Sequence, residues 1–407
     1  MKKIVLITNI PAPYRVDLFY YMQTHIKEYE IHVIYTNENE DNRSWNIPKE
    51  KMLNSHVLHS KVLRRKGMLD KRYVHIPGNV VETLDEINPN IVIAWEYNPA
   101  ALQSLFWSKR HHKKFIHLTD GTLYSERNIG KVQKIARKII IKNCDAAIAS
   151  STKAKEKLIK WGLTQEKIFI SLLTVDIQPY IKESTAIYDT KKEKARLLFV
   201  GRITYGKGLD LLFKALTYVR IPYEVHLVGD GNEQEIQKFK ELSRKLKIEK
   251  NIKYCGFKQG EDLIGEYKNM DVFVLPTRED CFGLVLLEAL CMLKPIATSK
   301  YADGAYDIVL NGKNGIIADP YNSREFGHAI EAILLDEMYK RKNSDREIKI
   351  GNHVWIGANS KIMKGACIGD NSIIASNTIL LSNIDLNGVI VGDLPNRILK
   401  QNINWKV

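Results

Sequence analysis

Isoleucine recurs at every sixth position near the end of the chain, at Ile350, Ile356, Ile362, Ile368 and Ile374. Small and polar residues fill the gaps: IGNHVW, IGANSK, IMKGAC, IGDNSI, IASNTI. A strict six-residue period belongs to a parallel β-helix, where each short strand forms one face of a coil. The stretch is short, and neighbouring repeats are needed to bury such a core. A tail of this size therefore needs a partner, and self-association is the simplest one.

The chain ahead of the tail has a different rhythm. KKIVLITN (2–9), EIHVIYT (30–36), NIVIAWE (90–96), KKFIHLTD (113–120) and DAAIASS (145–151) are short apolar runs followed by helical or loop sequence. Alternation of this kind predicts a parallel sheet covered on both faces. Residues 174–194 are polar and lack periodicity, so they read as a linker. The pattern then restarts with ARLLFVGR (195–202), YEVHLVGD (223–230), NIKYCGF (251–257), DVFVLPT (271–277) and KPIATSK (294–300). Helical segments at Leu209–Thr217 and Glu233–Leu246 separate some of them. The expected fold class is thus α/β, with two doubly wound domains at 1–173 and 195–343 and a β-helix tail at 347–407. Two such domains in series place a ligand crevice between them, at the strand C-termini.

Composition narrows the setting. Five cysteines without a C-x-x-C pair argue against a disulfide scaffold or a zinc ribbon, and fit a reducing cytosol. The apolar run Ile4–Ile7 is shorter than the ~7–15 residues of a signal-peptide core. No run approaches the ~18 apolar residues that span a bilayer. The net charge is +14, and residues 1–173 hold 28 Lys/Arg against 17 Asp/Glu. That excess would suit nucleic acid, an anionic membrane surface or an anionic substrate. No zinc-finger or RNP-like signature supports nucleic acid. In KVQKIARKIIIK (131–142), Val132, Ile135 and Ile139 share one helical face, with Lys131, Lys134, Lys138 and Lys142 on another. A helix resting on anionic lipid and an ordinary solvated surface helix both fit.

Three segments carry candidate chemistry. In FVGRITYGKGLDLLFKAL (199–216) a strand ends at Gly201, a glycine-containing loop follows, and a helix begins. Glycine lets backbone approach a ligand, a helix N-terminus attracts phosphate, and Arg202 and Lys207 add two positive charges. Together they could neutralise a diphosphate leaving group; a plain turn with two exposed cations is the alternative. LVGDGNEQE (227–235) is a second glycine turn between a strand and a helix. TREDCFGLVLLEAL (277–290) opens an apolar helix, with Asp280 at the junction, backbone N–H groups at Gly283 and Leu284, and Glu288 eight residues on. A carboxylate buried there needs a partner. Ligand hydroxyls could serve; alternatively Asp280 caps the helix and Glu288 pairs with a basic neighbour.

The combination GR-x(4)-KG followed by D-x-FG-x(4)-E resembles the retaining GT-B glycosyltransferases of glycosyltransferase family 4, over about residues 1–340. The resemblance implies two Rossmann-like domains, a nucleotide-sugar donor of UDP or GDP type in the cleft, and retention of anomeric configuration. It implies no metal and no cofactor. By position, Gly201, Arg202 and Lys207 would hold the donor diphosphate and Glu288 the ribose. Phe282, Gly283 and Leu284 would line the donor phosphate and sugar. Asp280 stands where the family has the first glutamate of E-x(7)-E, facing the donor sugar. NIPAPYR (9–15) lacks the Gly-Gly pair that many members carry and is similar to a Pro-rich subgroup loop facing the acceptor. The usual histidine after the fourth N-domain strand is not apparent in HLTDG (117–121). Asp120 is the catalytic candidate there, while His117 reads as a strand side chain turned away from the cleft. Cys281 reads as packing.

The tail resembles the final coils of hexapeptide-repeat acyltransferases, closing with VGDLPNRILK. The coils that normally carry their catalytic histidine are missing, and His353 stands at a non-catalytic position, so the expected role is a left-handed β-helix that forms a homotrimer. REFGHAIEAILLDEMYKRKN (324–343) leads into the repeats where family 4 glycosyltransferases usually return a helix to the N-domain. The expected activity is transfer of a sugar to a glycan or lipid-linked acceptor in surface polysaccharide synthesis. The expected location is cytoplasmic, peripheral on the inner face of the plasma membrane. A nucleotide-sugar epimerase on the same fold and a non-catalytic trimeric scaffold are the alternatives.

Overall fold

A computed structural model describes residues 1–40, 45–66, 71–184, 193–335, 347–358, 360–363, 366–376, 378–380, 384, 387–392 and 397–403. Residues 336–343 of the segment before the tail, and 393–396 of its closing segment, lie outside the described residues. The chain divides into two compact units, Met1–Lys340 and Arg341–Val407.

The first unit holds two sheets. Strands β1 (Lys2–Thr8), β2 (Tyr29–Tyr35) and β3 (Ser55–Val57) precede a two-stranded hairpin, β4 (Ser60–Lys66) and β5 (Lys71–Pro77). Then come β6 (Ile91–Trp95), β7 (Lys114–Thr119), β8 (Ala146–Ala149) and β9 (Ile168–Ile170). Seven of these form a parallel sheet in the order β3-β2-β1-β6-β7-β8-β9. Alternation along β1 explains its two covered faces: Val5 and Ile7 enter one core cluster and Leu6 the other. The five expected strands are all present. The edge strands β3 and β9 are three residues each, too short to leave a periodic signal. The basic residues Lys61, Arg64, Arg65, Lys66, Lys71 and Arg72 lie on the strands of the hairpin, where charge masks strand alternation.

The second sheet contains β10 (Ala195–Val200), β11 (Tyr223–Val228), β12 (Ile252–Gly256), β13 (Val272–Leu275), β14 (Ile296–Ser299) and β15 (Gly315–Ala318). It is parallel, in the order β12-β11-β10-β13-β14-β15. In both sheets the strand order reverses direction beside a central strand, at β1/β6 and at β10/β13. Such switch points open crevices at the strand C-termini.

The helices, in chain order, are α1 (Pro13–His25), α2 (Val80–Ile87), α3 (Pro99–Arg110), α4 (Lys131–Asn143), α5 (Thr152–Lys160) and α6 (Gln178–Glu183). They continue with α7 (Leu209–Leu216), α8 (Glu233–Lys245), α9 (Glu261–Asn269), α10 (Leu284–Cys291), α11 (Ala305–Ile308) and α12 (Ser323–Leu335). Helix α6 lies inside the segment expected to be a structureless linker. It is only six residues long, too short for a periodic pattern to show. Helix α4 buries Arg137, Ile140 and Ile141, while Val132 and Ile135 are 81% and 57% exposed. Its N-terminal apolar residues therefore face solvent. No helix among the described residues is long and apolar enough to cross a membrane.

The second unit is a short parallel β-helix. Strands β16 (Lys349–Ile350), β17 (Trp355–Ile356) and β18 (Lys361–Ile362) form one coil, and β19 (Cys367–Ile368), β20 (Ile373–Ile374) and β21 (Ile379–Leu380) the next. Lys349 pairs with Cys367, so three hexapeptides make one turn. The same repeat position has two fates. Ile368 and Ile374 are 3% and 0% exposed, but Ile350 and Ile356 are 48% and 40% exposed, because the first coil has a neighbouring coil on one side only among the described residues.

Candidate active site

The donor-side candidates converge at the β10/β13 switch point. Gly201 and Arg202 follow β10, and Lys207 ends a one-turn 3-10 segment, Tyr205–Lys207. Gly208 then starts α7 with φ +74°, and a Cβ there would stand 2.1 Å from the Pro276 carbonyl oxygen. Only glycine allows the two loops this approach. A comparable closeness fixes Gly229, whose Cβ would meet the Gly201 carbonyl oxygen at 2.0 Å.

Lys207 donates through Nζ to Asp280 Oδ2 at 2.6 Å. The other carboxyl oxygen of Asp280 accepts the Phe282 N–H at 3.2 Å, and the Gly283 amide also acts on it. Burial pushes the Asp280 pKa up, but the Lys207 ammonium and these amides outweigh it and hold the carboxyl below its ordinary range. Asp280 is thus not the cap of α10. Gly283 occupies the N-cap with φ +79°, and no side chain bonds there. Phe282 is buried, and Leu284 begins the helix.

The Lys207 loop is braced by a residue that the sequence reading passed over. Arg278, 3% exposed, grips Asp210 with two bonds of 2.8 and 2.7 Å and lies 3.7 Å from the Tyr205 ring centroid. The Arg278 amide also bonds to the Gly206 carbonyl at 2.9 Å. Arg278 stands two residues before Asp280, but nothing in TRED identifies its partner on α7.

Among the described residues, no cation pairs with Glu288. Tyr267 Oη on α9 donates to Glu288 Oε2 at 2.6 Å, and the Tyr180 hydroxyl on α6 reaches the same carboxyl. Burial pushes its pKa up to about 7, and the two phenols only partly offset that rise.

Across the crevice, Asp120 follows β7. Its Oδ2 accepts Arg15 Nη2 at 3.1 Å, its Oδ1 accepts Trp95 Nε1 at 3.4 Å, and its backbone N–H donates to Glu96 Oε1 at 2.8 Å. Arg15 comes from the first turn of α1, in the NIPAPYR loop, and also donates to Thr8 Oγ1. Beneath Asp120 lies a buried charged layer. Lys157, 0% exposed, donates to Thr119 Oγ1 at 2.8 Å and Glu126 Oε1 at 3.2 Å, and Arg137 holds Glu126 through two further bonds. Burial raises the Glu96 carboxyl despite the nearby Lys157. His117 is fully buried against Tyr97, with neither ring nitrogen hydrogen-bonded, and burial pushes its pKa well down.

The two walls are joined directly. Thr122 Oγ1 donates to Asp303, Arg127 donates to Glu279 Oε2 at 2.5 Å, and the Thr152 N–H donates to Asp307 Oδ2 at 2.9 Å. Tyr124 stacks on Tyr301 at 5.1 Å. Ser125 acts on the Cys281 thiol, and burial pushes that thiol up. Asp280 on one wall and Asp120 and Glu96 on the other all push that thiol up.

Among the described residues, His226, Cys255 and Glu266 are close enough to hold a metal ion. Glu266 is already shared between His226 Nδ1 at 2.7 Å and Lys258 Nζ at 2.5 Å.

Residues 181–350 match the family described as Glycosyl transferases group 1, and residues 347–382 match Bacterial transferase hexapeptide (six repeats). The second sheet thus belongs to a glycosyl transferases group 1 domain, with a hexapeptide repeat after it. An uncharacterized glycosyltransferase, MJ1607, of Methanocaldococcus jannaschii is 28% identical over 190 residues, 47% of each chain. The lipopolysaccharide 1,6-galactosyltransferase of Salmonella typhimurium is 25% identical over 272 residues, 64% of this chain and 70% of the relative. The chain spans about half the length of the first curated relatives it matches. Among solved structures, Anabaena Alr3699/HepE in complex with UDP and glucose aligns with a TM-score of 0.66 at 16% identity, over 83% of this chain and 91% of that one. The paired doubly wound domains are a GT-B fold.

Proposed function

We propose that this protein is a retaining, metal-independent glycosyltransferase that moves a sugar from a nucleoside-diphosphate sugar to a glycan acceptor. The observation that carries this reading is the Lys207–Asp280 pair at the β10/β13 switch point, beside Arg202 and the start of α10. The Lys207 ammonium and turn amides gather there around one carboxylate, the arrangement a sugar diphosphate needs at its charged and neutral ends.

In this reading Arg202 and Lys207 neutralise the departing diphosphate beside Gly201. The amides of Gly283 and Leu284 meet its oxygens, and Phe282 closes the sugar subsite. Asp280 faces the donor sugar, and Glu288 takes the ribose hydroxyls. The acceptor enters from the side of Asp120 and Arg15, and a donor phosphate oxygen takes its proton on the face the diphosphate leaves. The boundaries that follow are an acceptor domain at 1–173, a linker at 174–194, a donor domain at 195–343 and a tail at 347–407.

The finer terms rest on other observations. HepE was solved with UDP and glucose, which favours a UDP-type donor over GDP. The likeness to a lipopolysaccharide galactosyltransferase favours a lipid-linked acceptor in surface polysaccharide synthesis. Exposed Val132 and Ile135 beside Lys131, Lys134 and Lys138 suit contact with an anionic membrane surface on the cytoplasmic side. The open first coil, with Trp355 55% exposed, suits self-association of the tail as a homotrimer.

A thermal-shift screen against UDP, GDP, ADP and their sugars identifies the donor. NMR of the product then reads its anomeric configuration. Retained configuration, with Lys207→Ala and Glu288→Ala both folded and strongly slowed, is expected. Wild-type rates in both variants would sink the donor assignment. An epimerised donor in the absence of acceptor would instead indicate an epimerase.

A further inference from the structure

Glu288 is held in an unusual way for a carboxylate in a crevice built to take anions. Tyr267 on α9 donates to it at 2.6 Å, the Tyr180 hydroxyl on α6 acts on the same carboxyl, and the two rings meet edge to face at 5.9 Å. Tyr267 is itself immobilised, fully buried and stacked on Phe273 at 5.8 Å. Helix α6 belongs to the chain that crosses from the first sheet to the second, and Glu183 ties it to Lys268 on α9 at 2.8 Å. The crossover is therefore docked on the donor domain through the same two helices that support Glu288.

A carboxylate offers about four acceptor positions. The Tyr267 phenol occupies one of them and the Tyr180 phenol acts on the same carboxyl, which leaves at least two for the O–H donors of a vicinal diol. The titratable groups around Glu288 are Tyr267, Tyr180 and, on its own helix, Cys291, with Asp176 beyond Tyr180. No cation among the described groups acts on it. The subsite therefore favours neutral hydroxyl donors.

We propose that Tyr180 and Tyr267 are positioning residues that aim Glu288 at the ribose diol, and that Tyr180 makes the interdomain crossover part of the donor site. This rests on Glu288 as the ribose-binding residue. The ionised carboxyl accepts both hydroxyls of a diol, whereas protonation removes its charge and turns one acceptor position into a donor, so nucleotide affinity falls as pH drops through the Glu288 midpoint, near 7. Loss of either phenol removes a donor that favours the ionised form, and the midpoint moves up.

The test measures UDP and GDP affinity of the full chain from about pH 5.5 to 9 for wild type, Tyr180→Phe, Tyr267→Phe and Glu288→Gln. In parallel, carboxyl NMR follows the Glu288 titration without nucleotide. Each Phe variant is expected to raise the midpoint in both readouts. Each should also weaken nucleotide by about tenfold at neutral pH, as loss of one hydrogen bond to a charged group does. For turnover, donor KM should rise with kcat nearly unchanged, and Glu288→Gln should flatten the profile. Tyr180→Phe, on the surface-docked α6, keeps the test open if Tyr267→Phe fails to fold. Nucleotide binding with an unmoved midpoint in the folded Phe variants overturns the positioning role and leaves the glycosyltransferase reading intact. Absence of any UDP or GDP binding overturns both.

Discussion

Asp280 and Asp120 are alike in burial, with side chains 19% and 17% exposed, and each is held by one cation. Their surroundings differ. The groups bonded to the Asp280 carboxyl, Lys207 and the amides of Phe282 and Gly283, come from two short segments, 201–210 and 276–288. Around Asp120, the groups come from Thr8, Arg15, Trp95, Glu96 and Thr119, with Lys157, Glu126 and Arg137 in a layer beneath. The donor wall is made of loops whose own amides and cations meet a ligand. The opposite wall stands on a buried ionic layer whose members are scattered over the first 160 residues. One wall concentrates its chemistry at the surface of the crevice, and the other invests it in support.

That difference decided what could be read from the sequence. The donor loop could be found because a strand, a glycine turn, a cation and a helix start follow each other within ten residues, and the helix geometry fixes their relation. Asp280 and Glu288 were recognisable through their spacing, one in the loop that leads into α10 and the other on it. Arg278–Asp210, Lys157–Glu126 and Tyr180–Glu288 join elements far apart in the chain, and no local pattern encodes such a contact. Lys157 shows the limit clearly. On α5 it reads as one lysine among Lys153, Lys155 and Lys160, yet it alone is fully buried. Tyr180 was hidden for another reason, since a six-residue helix carries no period. In the tail the exact period revealed the strands and the coil, while the open first coil is a property of where the repeats begin.

Removing Lys157 should have the largest effect. Lys157→Met keeps the volume but leaves Glu96 and Glu126 short of a buried cation, and breaking such a group costs about 3–5 kcal/mol. The expected result is a large fall in the denaturation midpoint, with nucleotide affinity of the residual folded protein unchanged. A stability close to wild type would show that the layer is not the support of the Asp120 wall.

Lys207→Ala probes the other wall and should reverse the signature. The lost charge faces the ligand, so turnover should drop by about 10²–10³-fold, with the thermal midpoint changing little because Lys207 and Asp280 are both reachable by water. Steady-state kinetics beside calorimetry separates the two outcomes. Equal losses of stability in the Lys157 and Lys207 variants would erase the contrast between the walls.

Glu288→Gln sharpens the contrast through pH. A carboxyl raised from an unfolded value near 4.3 up to about 7 penalises the folded state once pH passes the lower figure. The penalty grows until the folded group ionises and is constant above that. Wild type should therefore lose stability between those two values, and the glutamine variant should lack this loss. The variant's thermal midpoint is expected to exceed wild type by a few degrees at pH 8 and to match it near pH 4.5. The Asp280 carboxyl, held low by Lys207, behaves with the opposite sign: its contribution is present above the unfolded value and is lost as pH falls through the folded one.

The smallest effect belongs to the junction of the walls. Thr122 on the Asp120 side donates to Asp303 on the Asp280 side, and burial raises the Asp303 carboxyl although the Thr122 hydroxyl and Lys153 pull it back. Thr122→Val keeps the shape of the side chain and removes the donor, which should cost about 1 kcal/mol and raise the Asp303 pKa further. Because the bond bridges the two sheets rather than holding either ligand, nucleotide affinity should stay constant while hydrogen exchange quickens on both sides of the crevice, at 122–127 and 301–307. Faster exchange on one side alone would mean that each wall is stabilised independently and that the crevice is closed by the remaining bridges, Arg127–Glu279 and Thr152–Asp307.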